Sequence, residues 1–203
     1  MPPIYHITHV DNLSGIIREG GLHCDTNAKK VGFVNIAHKN IKGRRLAKAV
    51  PKGPGGVIAD YVPFYFAPRS PMLFVISRGG VDGYTAGQQS VIYLCSTTEA
   101  VAAARLQWVF TEGQAVMNYT YFFDDFKDLD RIDWKIMKEK YWRDTDDDGD
   151  RCRRRQAEFL VHKFFPWTLV SEIGVCNTAT AQKVQAILNG NEPPVAVRQG
   201  WYY

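Results

Sequence analysis

The order of apolar and polar residues along the chain predicts many short strands and fewer helices. Short runs of β-branched and aromatic residues indicate strands, which we expect at 4–8, 61–66, 72–76, 91–95, 108–110, 153–161, 172–175 and 195–197. Apolar residues at helical spacing, with capping residues or glycines at the ends, indicate helices at 12–19, 41–50, 97–105, 131–142 and 178–188. Because strands outnumber helices and rarely alternate with them, we expect an α+β fold in a single domain over residues 1–203.

The segment 153–161 runs from three arginines into an apolar strand pattern. On a strand, every second side chain from Ala157 onward shares one face, and Gln156 and Glu158 stand together on the other. A carboxylate and an amide held by an apolar strand suggest groups directed at a substrate, and the arginines before them could hold a polyanion. A half-exposed structural strand would show the same pattern, since surface glutamates are common.

Composition narrows the class of protein without deciding its function. The chain has 203 residues, of which 45% are apolar and 23% charged, so it can bury a core. A formal net charge of +4 permits an anionic partner but does not require one. Basic residues concentrate at 28–50, which is either a solvated face or a phosphate-facing surface. Residues 112–128 are irregular and aromatic, and long irregular segments inside compact domains are often functional.

Several common chemistries find no support in the sequence. The four cysteines lie far apart, so we expect neither a zinc ribbon nor a disulfide framework, and reduced thiols fit the cytoplasm. We expect no secretory signal, no membrane span and no metal. Residues 144–149 match the opening of a calcium loop, but Arg155 stands where a bidentate carboxylate is required. No G-x-G-x-x-G motif is present, so a dinucleotide would not bind by the Rossmann route.

Five motifs are specific in combination, although no single one is decisive. They are YHITHVDNLSGI at 5–16, PGGV at 54–57, DYVPFYFAPRSPM at 60–72, QAEFLV at 156–161 and WYY at 201–203. Together they closely resemble the DarT family, the DNA ADP-ribosyltransferase toxins of bacterial toxin–antitoxin pairs. The resemblance covers nearly the whole chain.

The resemblance implies an ADP-ribosyltransferase fold, which is a split and mainly antiparallel sheet surrounded by helices. It implies NAD as the co-substrate, bound in a cleft between the halves of the sheet, and no metal. The acceptor would be a base of single-stranded DNA, thymine by default. The implied partner is a macrodomain antitoxin that removes the adduct.

The resemblance also assigns roles to residues of this chain. It implies that Glu158 is the catalytic glutamate and that Arg45 is an essential arginine in an element covering NAD. The implied cofactor contacts are His6, Ile7, Thr8, Gly15, Leu22 and Arg45. Residues 112–158 would form the substrate-recognition loop, where Gln156, Tyr119, Tyr121 and Arg154 are candidate substrate contacts. Some relatives carry a histidine in this loop, near the position of Gln114 or Tyr119 here.

The residues alone leave other functions open. A histidine such as His6, taken by itself, is more often a satisfied structural histidine than a ligand contact. The same cleft could serve transfer to another base or to RNA. The basic and aromatic stretches alone would also fit a nucleic-acid-binding module without catalysis.

Overall fold

The structure is a computed structural model, and it describes residues 1–28, 33–36, 39–190 and 192–203. Its strands are β1 (Pro3–His9), β2 (Gly21–His23), β3 (Tyr61–Tyr65), β4 (Val91–Thr97), β5 (Trp108–Thr111), β6 (Phe122–Phe123), β7 (Glu158–His162), β8 (Phe164–Pro166), β9 (Glu172–Val175) and β10 (Val195–Val197). Eight of them form one sheet in the order β10-β9-β4-β1-β3-β7-β5-β6, and β2 pairs with β8 in a second, two-stranded sheet. Every pair of neighbouring strands is antiparallel except β9 and β10.

The helices of the described residues are short and surround the sheet. They are α1 (Leu13–Arg18), α2 (Asp25–Ala28), α3 (Lys39–Ala47), α4 (Pro71–Ser77), α5 (Thr98–Ala103), α6 (Trp134–Lys138), α7 (Arg151–Arg154) and α8 (Thr178–Leu188). Within the parts of the chain given above, no helix combines the length and hydropathy needed to cross a bilayer. The mixed architecture confirms the expected α+β class.

The large sheet is interrupted near its centre, between β1 and β3. Strand β1 pairs with β4 along its whole length, from Pro3 to His9, but its register with β3 joins Tyr5 to Tyr65. Beside that pair, the ring nitrogen Nδ1 of His6 lies 2.8 Å from the carbonyl oxygen of Pro63 on β3. A side chain therefore bridges the two strands where a regular ladder would place backbone hydrogen bonds. This interruption is the split that the sequence resemblance implies.

Each face of the sheet is covered by its own cluster of buried side chains. On one face, Phe64 and Phe159 pack in a cluster that includes Val184 of α8. On the other face, Ile7 packs with Leu73 of α4. Burying one such large apolar side chain contributes about 1.5–3 kcal/mol. The two clusters fix β1, β3 and β7, which are the strands that carry the candidate catalytic residues.

The prediction of a strand at 72–76 is wrong, because these residues belong to α4. The hydroxyl of Ser70 accepts a hydrogen bond from the amide of Leu73 at 3.2 Å, and Pro71 occupies the first helical turn. A capping serine followed by proline favours a helix start. A short apolar run has no periodicity that separates a strand from a buried helix, so the cap decides the outcome here.

The prediction of a strand over 153–161 is correct only for its second half. Residues Arg151–Arg154 form α7, and β7 begins at Glu158. The guanidinium of Arg155 is buried between the two elements and donates to the carbonyl oxygens of Ile136 and Pro68, each at 2.7 Å. From Ala157 onward the expected alternation is confirmed, because every second residue lies in the same core cluster. Glu158 is therefore the first residue of a buried strand.

Most other element predictions are confirmed with shifted ends. The helix at 178–188 and the strands at 172–175 and 195–197 have the expected bounds. The helix expected at 41–50 spans Lys39–Ala47, and the one expected at 131–142 is reduced to Trp134–Lys138. The sequence suggests Ser96 as the cap of the helix at 97–105, but the cap of α5 is Thr97. The helix at 12–19 is confirmed as α1; the sequence suggests Asp11 as its cap, but Asn12 occupies that position.

Candidate active site

A buried ion pair joins α3 to the first residue of β7. The guanidinium nitrogen Nη1 of Arg45 donates to Oε2 of Glu158 at 2.7 Å, and both residues are almost fully buried. The other carboxylate oxygen, Oε1, accepts a hydrogen bond from the backbone amide of Ala115 at 3.0 Å. The amide of Glu158 itself donates to Oγ1 of Thr111 at 3.2 Å. The carboxylate is thus held by one cation and one amide, and each oxygen keeps a further lone pair.

Arg45 retains hydrogen-bonding capacity in spite of this pair. Burial alone would lower its pKa, but the charge and the hydrogen bond of Glu158 outweigh burial, so the pKa of Arg45 is raised and the group stays charged. Its Nε lies 3.9 Å from a carboxylate oxygen of Asp25. Its second terminal nitrogen, Nη2, is buried and has no partner among the described residues. A buried donor without a partner is costly, which indicates a position for a ligand acceptor.

His6 lies at the split of the sheet in a defined protonation state. Because a carbonyl oxygen can only accept, the contact with Pro63 places a hydrogen on Nδ1 of His6. Burial lowers the pKa of His6, so the ring is neutral at neutral pH. The neutral ring then has a free lone pair on Nε2. His6 is therefore available as a hydrogen-bond acceptor within the cavity that it lines.

The lowered pKa of His6 has a consequence for stability. Between its folded pKa and its ordinary value, the unfolded chain binds a proton that the folded chain does not, so stability falls as the pH falls through that window. We expect urea denaturation at pH 8 and at pH 5 to show a larger loss for the wild type than for His6→Asn. Other titrating groups are common to both chains and cancel in this difference. An equal loss in both would contradict a neutral buried His6.

Asn12 ties the segment 33–36 to the end of β1. Its Nδ2 donates to Oγ1 of Thr8 at 3.0 Å and to the carbonyl oxygen of Val34 at 2.9 Å. The amide of Val34 donates back to Oδ1 of Asn12 at 2.7 Å. This paired contact fixes the segment against the strand that carries His6 and Thr8. Both sides contribute residues to one cavity.

The cavity has a volume of about 420 Å³ and lies at the split of the sheet. It brings together every residue that the resemblance assigned to catalysis or to the cofactor, namely His6, Ile7, Thr8, Gly15, Leu22, Arg45 and Glu158. Gln156 and Gln114 line the same cavity. Pockets of this size are typical of small-molecule sites. The described residues contain no cluster of three His, Cys, Asp or Glu side chains that could hold a metal ion.

Three of the candidate substrate contacts do not line the cavity. Tyr119 and Tyr121 are 59% and 72% exposed on the outer side of the loop, and the guanidinium of Arg153 lies 5.3 Å from the ring of Tyr119. Arg154 is paired with Asp148 at 2.6 Å and with Asp133 at 3.0 Å. The other arginines of this run are also engaged, so the run is not a free phosphate-binding surface. Of Gln114 and Tyr119, only Gln114 is placed beside Glu158.

Two cavity residues had no role assigned from the sequence. Tyr65 pairs directly with Glu158 across β3 and β7, and burial raises its pKa well above the usual range. Asp25 approaches Arg45 from α2. Tyr65 belongs to a motif that carries the resemblance, and strand alternation with Phe64 could have placed it on the face of Glu158. No local signal marks Asp25, because its contact with Arg45 depends on how two helices pack.

Only part of the basic stretch at 28–50 lies within the described residues, and that part includes helix α3. Lys29, Lys30 and His38 lie outside the described residues. Basic side chains of helix α3 make contacts within the protein. The guanidinium of Arg44 donates to the carbonyl oxygen of Val116 at 3.1 Å. Lys48 donates to Oδ1 of Asn118 at 3.3 Å. The helix that supplies Arg45 therefore also holds the loop that supplies the amide of Ala115.

The family of the chain is decided by comparison with known proteins. The family model described as "DarT: ssDNA thymidine ADP-ribosyltransferase, DarT" matches residues 5–203. The chain belongs to the DarT family. As a DarT it is an enzyme of the DNA ADP-ribosyltransferase class, and the cavity described above occupies the split of its sheet.

Individual DarT relatives match over nearly their whole length. A "DNA ADP-ribosyl transferase" of Thermus sp. (strain 2.9) is 42% identical over 99% of this chain and 96% of that protein. The solved structure "Thermus sp. 2.9 DarT in complex with ADP-ribosylated ssDNA" superposes with a TM-score of 0.93 at 41% identity, over 100% of this chain and 96% of that one. The structure "Thermus sp. 2.9 DarT in complex with NAD+" has a TM-score of 0.88 at 39% identity, over 100% and 98%.

A more distant relative joins two activities in one chain. It is the "DNA ADP-ribosyl transferase-DNA ADP-ribosyl glycohydrolase fusion protein" of Thermosipho africanus, 23% identical over 95% of this chain and 47% of that protein.

Proposed function

We propose that this chain cleaves the nicotinamide–ribose bond of NAD and transfers ADP-ribose to a thymine base of single-stranded DNA. The observation that carries the proposal is the buried Arg45–Glu158 pair in the cavity at the sheet split of a DarT fold. The related Thermus enzyme has been captured with NAD+ and with ADP-ribosylated single-stranded DNA. Both observations favour transfer to DNA over binding without chemistry.

The cavity offers groups that suit a dinucleotide. His6 supplies an acceptor and Thr8 a hydroxyl, and Nη2 of Arg45 is a buried donor that no described residue satisfies. A guanidinium donor fits a diphosphate or a ribose oxygen. Gly15 and Leu22 also line the wall, and no side chain at Gly15 limits how closely a ligand approaches α1. We propose these residues as the NAD contacts.

Glu158 would act where positive charge develops. Breaking the bond between C1′ and nicotinamide gives the ribose oxocarbenium character. A fixed carboxylate stabilises this cation and can accept a hydrogen bond from a ribose hydroxyl. The carboxylate of Glu158 is already oriented by Arg45 and by the amide of Ala115. Little reorganisation would then be required during the reaction.

Arg45 would act as a fixed cation rather than as a base. Its raised pKa means that it cannot take a proton during the reaction. In a thymidine nucleotide the imide nitrogen is the ring nitrogen that carries a hydrogen. A cation near this imide makes its proton easier to lose to solvent. The imide nitrogen then forms a bond to C1′, and nicotinamide leaves with the electron pair of the broken bond.

The acceptor strand would approach past the loop at 112–121. Gln114 and Gln156 flank Glu158 in the cavity and can hydrogen-bond the edge of a base. Tyr119 and Tyr121 are exposed farther out on the same loop and offer stacking surfaces. A single strand suits this chemistry because a base in a duplex is not reachable. We do not include Arg154, whose guanidinium is occupied by two carboxylates.

We also propose a partner and a compartment. The fused relative from Thermosipho combines a DNA ADP-ribosyl transferase with a DNA ADP-ribosyl glycohydrolase. A separate glycohydrolase of the macrodomain type, acting as an antitoxin, would remove the adduct made by this chain. The proposed reaction requires NAD and DNA together, and this requirement supports a cytoplasmic location.

The test uses labelled NAD and matched oligonucleotides. Single strands that differ at one base, their RNA counterparts and a protein control are incubated with the enzyme, and the products are identified by mass spectrometry. We expect an ADP-ribose adduct only on single-stranded DNA that contains thymine, together with free nicotinamide. Adducts on RNA or on another base would show that the acceptor is not thymine in single-stranded DNA. DNA binding without nicotinamide release would reject catalysis.

A further inference from the structure

A cationic and aromatic patch lies beside the cavity, where α4 leads away from it. Met72, near the start of α4, lines the cavity, and Phe74 follows about 3 Å farther along the helix axis. We call the Phe74 patch the surface formed by Phe74, Arg78, Lys140, Tyr141 and Arg143. We propose that the Phe74 patch binds the DNA strand next to the acceptor base, an inference that rests on the proposed function.

Two arginines share the ring of Phe74. The guanidinium carbon of Arg78 lies 5.3 Å from the ring centroid, and that of Arg143 lies 5.5 Å from it. Among the described residues, neither guanidinium is within ion-pair distance of a carboxylate. Each guanidinium lies within about 6 Å of the same ring, so the two positive charges together attract an anion to this part of the surface. A phosphate group has the charge and the geometry that guanidinium groups bind.

The exposed side chains of the patch are held by an internal support. Arg151 donates from Nε to the carbonyl oxygen of Arg143 and from Nη2 to that of Tyr141, each at 2.9 Å. Trp142 between them is buried, and its indole nitrogen donates to the hydroxyl of Tyr203 at 2.9 Å. With Trp142 turned inward, Tyr141 is 74% exposed and Arg143 is exposed as well. The protein therefore fixes the backbone that presents these two side chains.

Asp144, which follows Arg143 in the sequence, is engaged away from the patch. The carboxylate of Asp144 accepts a hydrogen bond from the amide of Cys152 at 2.8 Å and so faces α7. Lys140 lies 5.6 Å from the ring of Tyr141 and adds a further cation. Cations interleaved with aromatic faces are typical of surfaces that bind single-stranded nucleic acid by backbone contacts and base stacking. Charge, aromatic content and the neighbouring cavity favour a DNA strand over an apolar protein partner.

The test compares a short and a long acceptor strand with a double variant. Strands of about 4 and about 15 nucleotides bracket the length of a single-strand site. Each carries one thymine, and in the long strands the thymine stands near the 5′ or the 3′ end. For Arg78→Ala/Arg143→Ala we expect the KM for one of the long strands to rise about tenfold. The KM for the short strand and the KM for NAD should both stay at their wild-type values.

Salt dependence supplies a second readout. Each phosphate contact to a single strand contributes about 0.7 to the slope of log affinity against log salt, so losing two should reduce the slope by about 1.4. Lys127→Ala/Lys183→Ala is the matched control, because it removes two exposed positive charges elsewhere. This control should leave both the KM and the slope near wild-type values. Tyr141→Ala, at a highly exposed position, provides an independent variant that should also raise the KM for the long strand.

The outcomes separate the patch from the proposed function. An unchanged KM for every long strand, or an equal loss on short and long strands, would overturn the role of the patch while the wild type still modifies DNA. If Lys127→Ala/Lys183→Ala raised the KM for the long strand as much, the loss of net charge would explain the result, and the proposed role of the Phe74 patch would be rejected. A wild type that labels neither strand would reject the proposed function and the patch with it.

Discussion

Glu158→Gln is expected to reduce ADP-ribosyl transfer by on the order of 10²–10³ or more, because the substitution removes the negative charge at the developing ribose cation. Glutamine keeps the shape of the side chain, and its carbonyl oxygen can still accept the amide of Ala115 or the guanidinium of Arg45. The rate is measured as nicotinamide release and as oligonucleotide labelling. Binding of NAD, measured by calorimetry, should change much less than the rate.

The structure adds a cost to this substitution that the sequence did not suggest. From the sequence we would expect removal of Glu158 to leave the fold nearly unaffected. The carboxylate is buried against Arg45, however, so replacing it with a neutral amide leaves the buried guanidinium without an opposite charge and destabilises the chain by about 1–3 kcal/mol. Glu99→Gln, at an exposed site on α5, is the matched control for both activity and stability. Transfer by Glu158→Gln within tenfold of wild type would reject Glu158 as the catalytic group.

Arg45→Ala should be nearly as damaging, with a loss of transfer on the order of 10²–10³. Two effects combine, because the variant loses both the cation that orients Glu158 and the Nη2 donor, which has no partner within the described ranges. The buried carboxylate left behind without its cation should lower the free energy of unfolding by about 3–5 kcal/mol. Transfer rates and chemical denaturation report the two effects separately.

Arg45→Lys separates the charge of Arg45 from its shape. An ammonium group can still pair with Glu158, so much of the stability should return. It lacks the planar fork that donates to two groups at once, so transfer should stay well below wild type. A lysine variant with the wild-type rate would show that charge alone is sufficient. Arg44→Ala, in the neighbouring position, tests whether loss of the contact to the loop explains the effect instead.

The pattern of apolar and polar residues predicted which strands and helices surround the site better than it predicted where each one begins and ends. The alternation from Ala157 onward correctly grouped Ala157, Phe159 and Val161 in one core cluster, because successive side chains of a strand point to opposite faces. Both faces of β7 are buried, and Leu160 packs in a different cluster. The apolar run at 72–76 was misassigned because a single capping hydroxyl, on Ser70, decides between a strand and a helix. Such a cap depends on one hydrogen bond and leaves little trace in hydropathy.

The candidate site itself could not be assembled from local pattern. Arg45 and Glu158 are 113 positions apart, and only the packing of α3 against β7 makes them an ion pair. The resemblance to DarT proteins supplied both residues, and the structure places them in contact. The arginines at 153–155 show the opposite case. They resemble a polyanion site in sequence, but carboxylates and carbonyl oxygens from distant segments occupy them.

Helix α3 contacts both the proposed catalytic carboxylate and the neighbouring loop through adjacent side chains. Arg45 contacts Glu158, Arg44 holds the loop at 116–118, and Lys48, which directly follows the helix, contacts the same loop. Any displacement of this helix that accommodates the dinucleotide must therefore also move the rim over which the oligonucleotide enters. We expect bound NAD to change the affinity for the oligonucleotide, and the oligonucleotide to change the affinity for NAD by the same factor.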